Sequence, residues 1–289
     1  MKKAIIGILM FGLIITPIGN SVGMGQKPET EETMEANEGA RKEYLAKQEE
    51  EREKLKKKVP ELIEKLKTAK GFKRERIILQ LGWSKDPRVV ESLIEVLSKD
   101  ENSNLRALAA QSLGWIGDKK AIPTLRNSLN DEDKKVQSQA AVALFNLGDE
   151  SIEPVLMTFV KEGNDSALEA LCFTDINERI MRSEKSKLIL KEVLSYSNEH
   201  IRILAAFYLA ETDQKDSTYP VAVDILQNGI DPGNRSLAIY TLTKIGSEEA
   251  ISAIASALDD EDKLVNNDAK EALKKLNRED IIKEHFRKK

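Results

Sequence analysis

A single cysteine, Cys172, stands among 289 residues. One thiol forms no intramolecular disulfide, and a cysteine-based zinc site is excluded with it. Flanked by Ala170, Leu171 and Phe173, it reads as a small buried hydrophobe rather than a reactive group. Histidine is nearly as scarce: His200 and His285 are too few for a multi-histidine metal site. Aromatic residues make up 5% of the chain, so the strand-favouring component is thin. Neither sign of charge dominates. A net charge of -4 leaves the molecule without the basic footprint of a nucleic-acid binder. No glycine-rich phosphate loop, no Gly-x-Ser-x-Gly elbow and no His-Glu-x-x-His occurs. These absences predict a chain that is not an enzyme and holds no cofactor, metal or nucleic acid.

What is abundant favours helix. Hydrophobic residues make up 40% and charged residues 33%, a mixture rich in Ala, Leu, Glu and Lys, which form helices well. The fold class expected is all-α. Met1-Lys2-Lys3 is followed by an apolar run from Ala4 to Ile18 and then by Gly19-Asn20-Ser21-Val22-Gly23. A basic start, a short apolar stretch and small residues describe a secretory signal over residues 1–23, cut after Gly23. The body is therefore expected to be exported, periplasmic or secreted, touching a membrane only if the leader is uncut. Residues 24–58 form a charged arm, acidic first (Glu29, Glu31, Glu32, Glu35, Glu38) and ending in Lys56-Lys57-Lys58. Lacking an apolar stripe, it reads as a linker or a solvated single helix.

From residue 59 onward the chain repeats itself. The leucine of Leu81-Gly82-Trp83 recurs at Leu113, Leu144, Leu171, Leu209, Leu242 and Leu273, at spacings of 32, 31, 27, 38, 33 and 31 residues. Four positions before it stands an alanine in six of seven units: Ala109, Ala140, Ala167, Ala205, Ala238 and Ala269, with Ile77 in the first. Residues i and i+4 share a helix face, and a small one there lets a neighbouring helix approach. A preceding helix in each unit carries its own i, i+4 pairs, such as Leu93/Leu97, Leu156/Val160 and Ile254/Leu258. Pro123, Pro154 and Pro220 are expected in the first turn of those helices, where no amide partner is lost. Gly117, Gly148 and Gly246 read as helix C-caps. The unit is helix, turn, helix, and about seven such units stack into an αα-superhelix over residues 59–289.

This pattern resembles the HEAT repeat, in the short form of the bilin-lyase HEAT-like family. It is clearest from Asp118 to Asp149, holding Ala121-Ile122-Pro123, Leu129, Asp131, Val136 and Ala140-Ala141, and again from Gly246 to Leu276. Between Asp149 and Asp216 the period slips, and a widened loop or distorted helix pair is expected near Asp175 to Ser186. Seven positions before the marker leucine lies an arginine in four units: Arg74, Arg106, Arg202 and Arg235, with Gln137, Asn164 and Asn266 elsewhere. The resemblance implies that such arginines pair with acidic residues of the next unit's turn. The alternative is a row of exposed guanidinium groups able to grip a partner's carboxylate or phosphate.

Asp260, Asp262, Asn266, Asp268 and Glu271 fall at calcium-loop spacing, but Leu264 and Val265 occupy places needing an oxygen ligand and a glycine. The helical repeat accounts for them better. Trp83 and Trp115 hold equivalent places in adjacent units, either packing between repeats or anchoring a partner. A partner-binding region of Trp83, Trp115, Arg106 and Gln111, with Arg202 and Arg235, follows from the second option. The function expected is a non-catalytic protein-binding scaffold of the cell envelope or extracellular space, its partner another protein. The alternative implied by the resemblance is a bilin-lyase-like enzyme or chromophore-handling protein. That kind acts on cytoplasmic partners, against the export signal.

Overall fold

The computed structural model describes residues 31–175, 180–181, 184–212 and 214–287. The leader expected over residues 1–23 lies outside the described residues. Among these residues there are fifteen α-helices and one pair of short strands. The fold is all-α, a succession of helix-turn-helix repeats. The first helix is α1 (Glu31–Thr68). The repeats continue through α2 (Phe72–Ser84), α3 (Val90–Lys99), α4 (Ser103–Ile116), α5 (Ile122–Ser128), α6 (Lys134–Asn146), α7 (Glu153–Lys161) and α8 (Asp165–Cys172). After β1 (Phe173–Asp175) and β2 (Ile180–Met181) come α9 (Glu184–Val193), α10 (Glu199–Leu209), α11 (Lys215–Asn228) and α12 (Pro232–Ile245). The chain ends in α13 (Glu248–Ser256), α14 (Lys263–Lys275) and α15 (Glu279–Arg287).

Two compact units emerge. One runs from Ala36 to Leu171, and the other contains Cys172–Lys289. In the first, α1 contributes the stripe Leu55, Val59, Leu62 and Leu66, all buried at helical spacing. Upstream of that stripe α1 is held by exposed pairs along its own surface, such as Lys47 to Glu43 and Lys54 to Glu50, each at 2.7 Å. In the second unit a continuous core joins Ile203, Ala222, Leu226, Ala238, Leu242, Ile254, Val265, Ala269 and Leu273.

The repeat seen in the sequence is the core seen in the structure. All seven marker leucines are buried, and so are all six alanines four positions earlier. Small residues beside the marker also work where successive second helices meet. A Cβ added to Gly82 of α2 would lie 2.5 Å from Ser112 Cβ of α4. Repeated caps set the helix boundaries. Asn102, Asp133 and Asp262 each accept the amide two residues on, at the starts of α4, α6 and α14. Gly117 and Gly246 end α4 and α12 at positive φ, their amides donating to the marker carbonyls of Leu113 and Leu242.

Two expectations need correction. Pro220 is the sixth residue of α11, not part of its first turn. The segment Lys215–Tyr219 adds a turn ahead of it, steadied by the Thr218 hydroxyl donating to the Lys215 carbonyl at 2.8 Å. The slip of period near Asp175 is a two-stranded antiparallel pair, Phe173 opposite Met181 and Asp175 opposite Ile180. Cys172 is fully buried just before it.

Candidate functional site

The arginine column settles into a ladder at three places. Each of these arginines sits in the first turn of a second helix, where its side chain reaches back over the preceding turn and across to the next unit. Arg106 lies four residues beyond the cap Asn102. Its Nη1 donates to the Asp100 carbonyl at 2.9 Å, while Nε and Nη2 donate to Asp131 at 2.9 and 2.8 Å. Arg235 repeats this toward the Gly229 carbonyl at 2.9 Å and both oxygens of Asp260 at 3.0 Å. Arg74 pairs with Asp100 at 3.0 Å. The acceptors are themselves fixed: Asp100, Asp131 and Asp260 each accept the amide two residues on. Such forked, charge-assisted pairs are the stronger kind of hydrogen bond. The residues Arg106 and Arg235 are 8% and 9% exposed, so their guanidinium groups face inward. Arg202 departs from the ladder and pairs with Asp224 of α11 at 3.0 Å.

The electrostatics follow the geometry. The Arg106 guanidinium holds the Asp131 carboxyl below the usual carboxylate range, against the opposing effect of burial. At Asp260 burial pushes upward most strongly, yet Arg235 and the Asp262 amide together bring the carboxyl down.

The residues at calcium-loop spacing are employed separately. Asp260 accepts Arg235, Asp262 caps α14, the Asn266 amide donates to the Leu258 carbonyl, and Glu271 pairs with Lys274. Asp268 accepts the Ser236 hydroxyl and, at 3.3 Å, the Tyr240 hydroxyl. Among the described residues no group of three or more His, Cys, Asp or Glu is arranged to hold a metal ion.

Trp83, Gln111 and Trp115 are half-buried on second helices of the first unit. Their columns continue in the second unit with different chemistry. Two residues past the marker, where the tryptophans stand, come Glu211 and Lys244; two residues before it, where Gln111 stands, come Phe207 and Tyr240. The Lys244 ammonium lies 4.8 Å from the centre of the Phe207 ring and pairs with Glu211. Tyr240 is 47% exposed, and burial of the rest, then the Asp268 carboxylate, pushes its phenol upward. Two rings and an ammonium thus stand on second helices of this unit, the ammonium beside Glu211 and the phenol beside Asp268. Sequence reasoning passed over this group, although the two columns flanking the marker contain it.

The model of HEAT repeats matches residues 59–145, 90–173 and 181–279. Deoxyhypusine hydroxylase of Saccharomyces cerevisiae is 29% identical over 187 residues, 63% of this chain and 55% of that protein. The chain thus spans about half the length of that relative. The bilin biosynthesis protein PecE of a Nostoc species is 25% identical over 194 residues, 65% of this chain and 74% of that protein. Among solved structures, the complex of CpcE and CpcF of phycocyanin lyase from Nostoc matches at 25% identity and a TM-score of 0.42, covering 74% of this chain and 85% of that one. Relatives named for chemical steps overturn the expectation of a non-catalytic scaffold of the envelope or extracellular space, and with it the expectation that the chain is not an enzyme. The physical reason is that a repeat period reports how helices stack and is silent on what their exposed columns do. With the matches extending over most of its length, the chain belongs to the HEAT-repeat family.

Proposed function

We propose that this chain is an enzyme of the bilin-lyase kind, taking a linear tetrapyrrole as ligand and a second protein as its acceptor. The match to PecE carries this reading, because it covers three-quarters of that protein and therefore most of an array rather than one repeat. The ligand surface in this proposal is the line of Phe207, Tyr240 and Lys244. The rings stack on the conjugated system, and the ammonium exchanges Glu211 for a propionate of the tetrapyrrole. Trp83, Gln111 and Trp115 are proposed as a contact for the protein partner. Export through residues 1–23 is a separate proposal that competes with this reading, because lyases of this kind act on cytoplasmic partners; a mature chain beginning at Met24 would support export and count against the lyase.

The experiment is an absorbance titration with biliverdin, followed by incubation with a phycocyanin subunit lacking its chromophore. A saturable shift of the long-wavelength band is expected, weakened roughly tenfold in Lys244→Ala, the loss expected for one charged contact. Colour retained on the subunit in a denaturing gel reports transfer. An unchanged spectrum together with an uncoloured subunit removes this function.

A further inference from the structure

The ladder has one place where a carboxylate stands without its guanidinium. Gln137 occupies the arginine column in α6, four residues beyond the cap Asp133. Its Nε2 donates to the Asp131 carbonyl at 2.6 Å, just as Arg106 reaches the Asp100 carbonyl. A glutamine ends there. Twenty-five residues further on, the register that carries Arg106 to Asp131 and Arg235 to Asp260 brings Gln137 to Glu162. The Glu162 carboxylate turns outward to Lys134 at 2.9 Å. Between Gln137 and Glu162 lies an open groove of about 440 Å3, floored by Pro154, Val155, Thr158 and Phe159.

We propose that this groove receives the arginine side chain of a protein partner, whose guanidinium completes the rung against Glu162. The fold supplies the template: elsewhere the same register is filled by an arginine of the chain itself, its stem packed and its fork on a carboxylate. Here the floor is apolar, suited to three methylenes, and Val155 is among the exposed large hydrophobic residues. The Lys134 side chain is 74% exposed, so its pairing with Glu162 is a solvated contact that a forked guanidinium displaces. An anionic ligand fits worse, because it would face the Glu162 carboxylate. The groove lies wholly within the unit Ala36–Leu171, and the proposal stands whether or not the tetrapyrrole reading does.

The test is an amide NMR titration of the full chain with blocked arginine, using blocked lysine and blocked citrulline as comparisons. Saturable shifts centred on the Gln137 side-chain amide are expected for arginine, with citrulline roughly tenfold weaker for want of charge. Glu162→Gln is expected to lose the arginine response. Gln137→Arg fills the groove from within; it is expected to abolish binding and to raise the melting temperature by a few degrees, roughly what one restored ion pair gives. Equal responses to all three compounds overturn the proposal, as does an arginine response that survives both substitutions. An absence of any shift in the unmodified chain overturns it too.

Discussion

Asp131 accepts both Nε and Nη2 of Arg106, together with the amide of Asp133. In the unfolded chain its carboxyl titrates near the ordinary value of about 3.9; in the fold it is held lower, first by the guanidinium. The rung's contribution is therefore complete above that ordinary value and is lost as pH falls toward the lowered one. Asp131→Asn should cost about 2 kcal/mol at neutral pH, because it removes the forked carboxylate from a largely buried guanidinium and leaves only Glu132, at 3.2 Å, as its counter-charge. Near pH 3 the gap between variant and parent should narrow, since below its ordinary value the unfolded parent takes up a proton at Asp131 that the fold disfavours, while the asparagine variant does not titrate there. Urea midpoints at the two pH values check this. A gap of equal size at both would mean that the rung acts through shape and not charge. Asp260, held below its ordinary range by Arg235 and the Asp262 amide, should behave in the same direction.

Where α2 meets α4, the fit is set by the absence of a side chain. Alanine normally improves a helix interior over glycine by about 1 kcal/mol. At Gly82 a Cβ would stand 2.5 Å from Ser112 Cβ and 2.9 Å from its Cα, so backbone must move. Gly82→Ala should therefore destabilise, by about 2 kcal/mol for overpacking of this kind. Gly114→Ala, 3.0 Å from Ala143, should cost less. Thermal melts of both variants decide it, and a higher melting temperature for Gly82→Ala would refute the close approach. This contact was half legible in the sequence: the alanine and leucine columns marked the buried face, and Gly117 and Gly246 marked helix ends. Local chemistry of that sort repeats from unit to unit and can be read by eye. Pro220 misled because helices extend N-terminally past a proline when the added turn finds its own hydrogen bonds. The strand pair at Phe173 and Met181 was legible only as an irregular spacing, since one unit gives no period to compare. Lys244 lay in the column already noted for Trp83 and Trp115, and Phe207 and Tyr240 in the column of Gln111. The group went unread because equivalence was sought in residue type and not in position.

Across the whole chain, a repeat array is stabilised by each unit and by its junctions with neighbours. Its architecture follows from the period, while its role has to be sought in the columns that vary, which is why the scaffold expectation failed while the fold expectation held. The junctions are unequal. Forked or paired rungs join Arg74 to Asp100, Arg106 to Asp131 and Arg235 to Asp260. In the middle, Gln137 does not bridge to Glu162 by any such pair, and Arg202 turns to Asp224 instead of the next turn. The second helix there is also short: α8 has 8 residues, against 14 in each of α4 and α12. Short helices gain less from each junction, and local opening concentrates where junctions are weakest. Amide exchange read by mass spectrometry should find the peptides of α7 and α9 exchanging faster than those of α4 and α12, under conditions where the whole chain stays folded. Gln137→Arg should slow exchange in α7 specifically and leave α12 unchanged, because it restores a rung at that junction alone. Equal protection of all four helices in the unmodified chain would mean that the array opens as one cooperative body and that the missing rung has no bearing on its local stability.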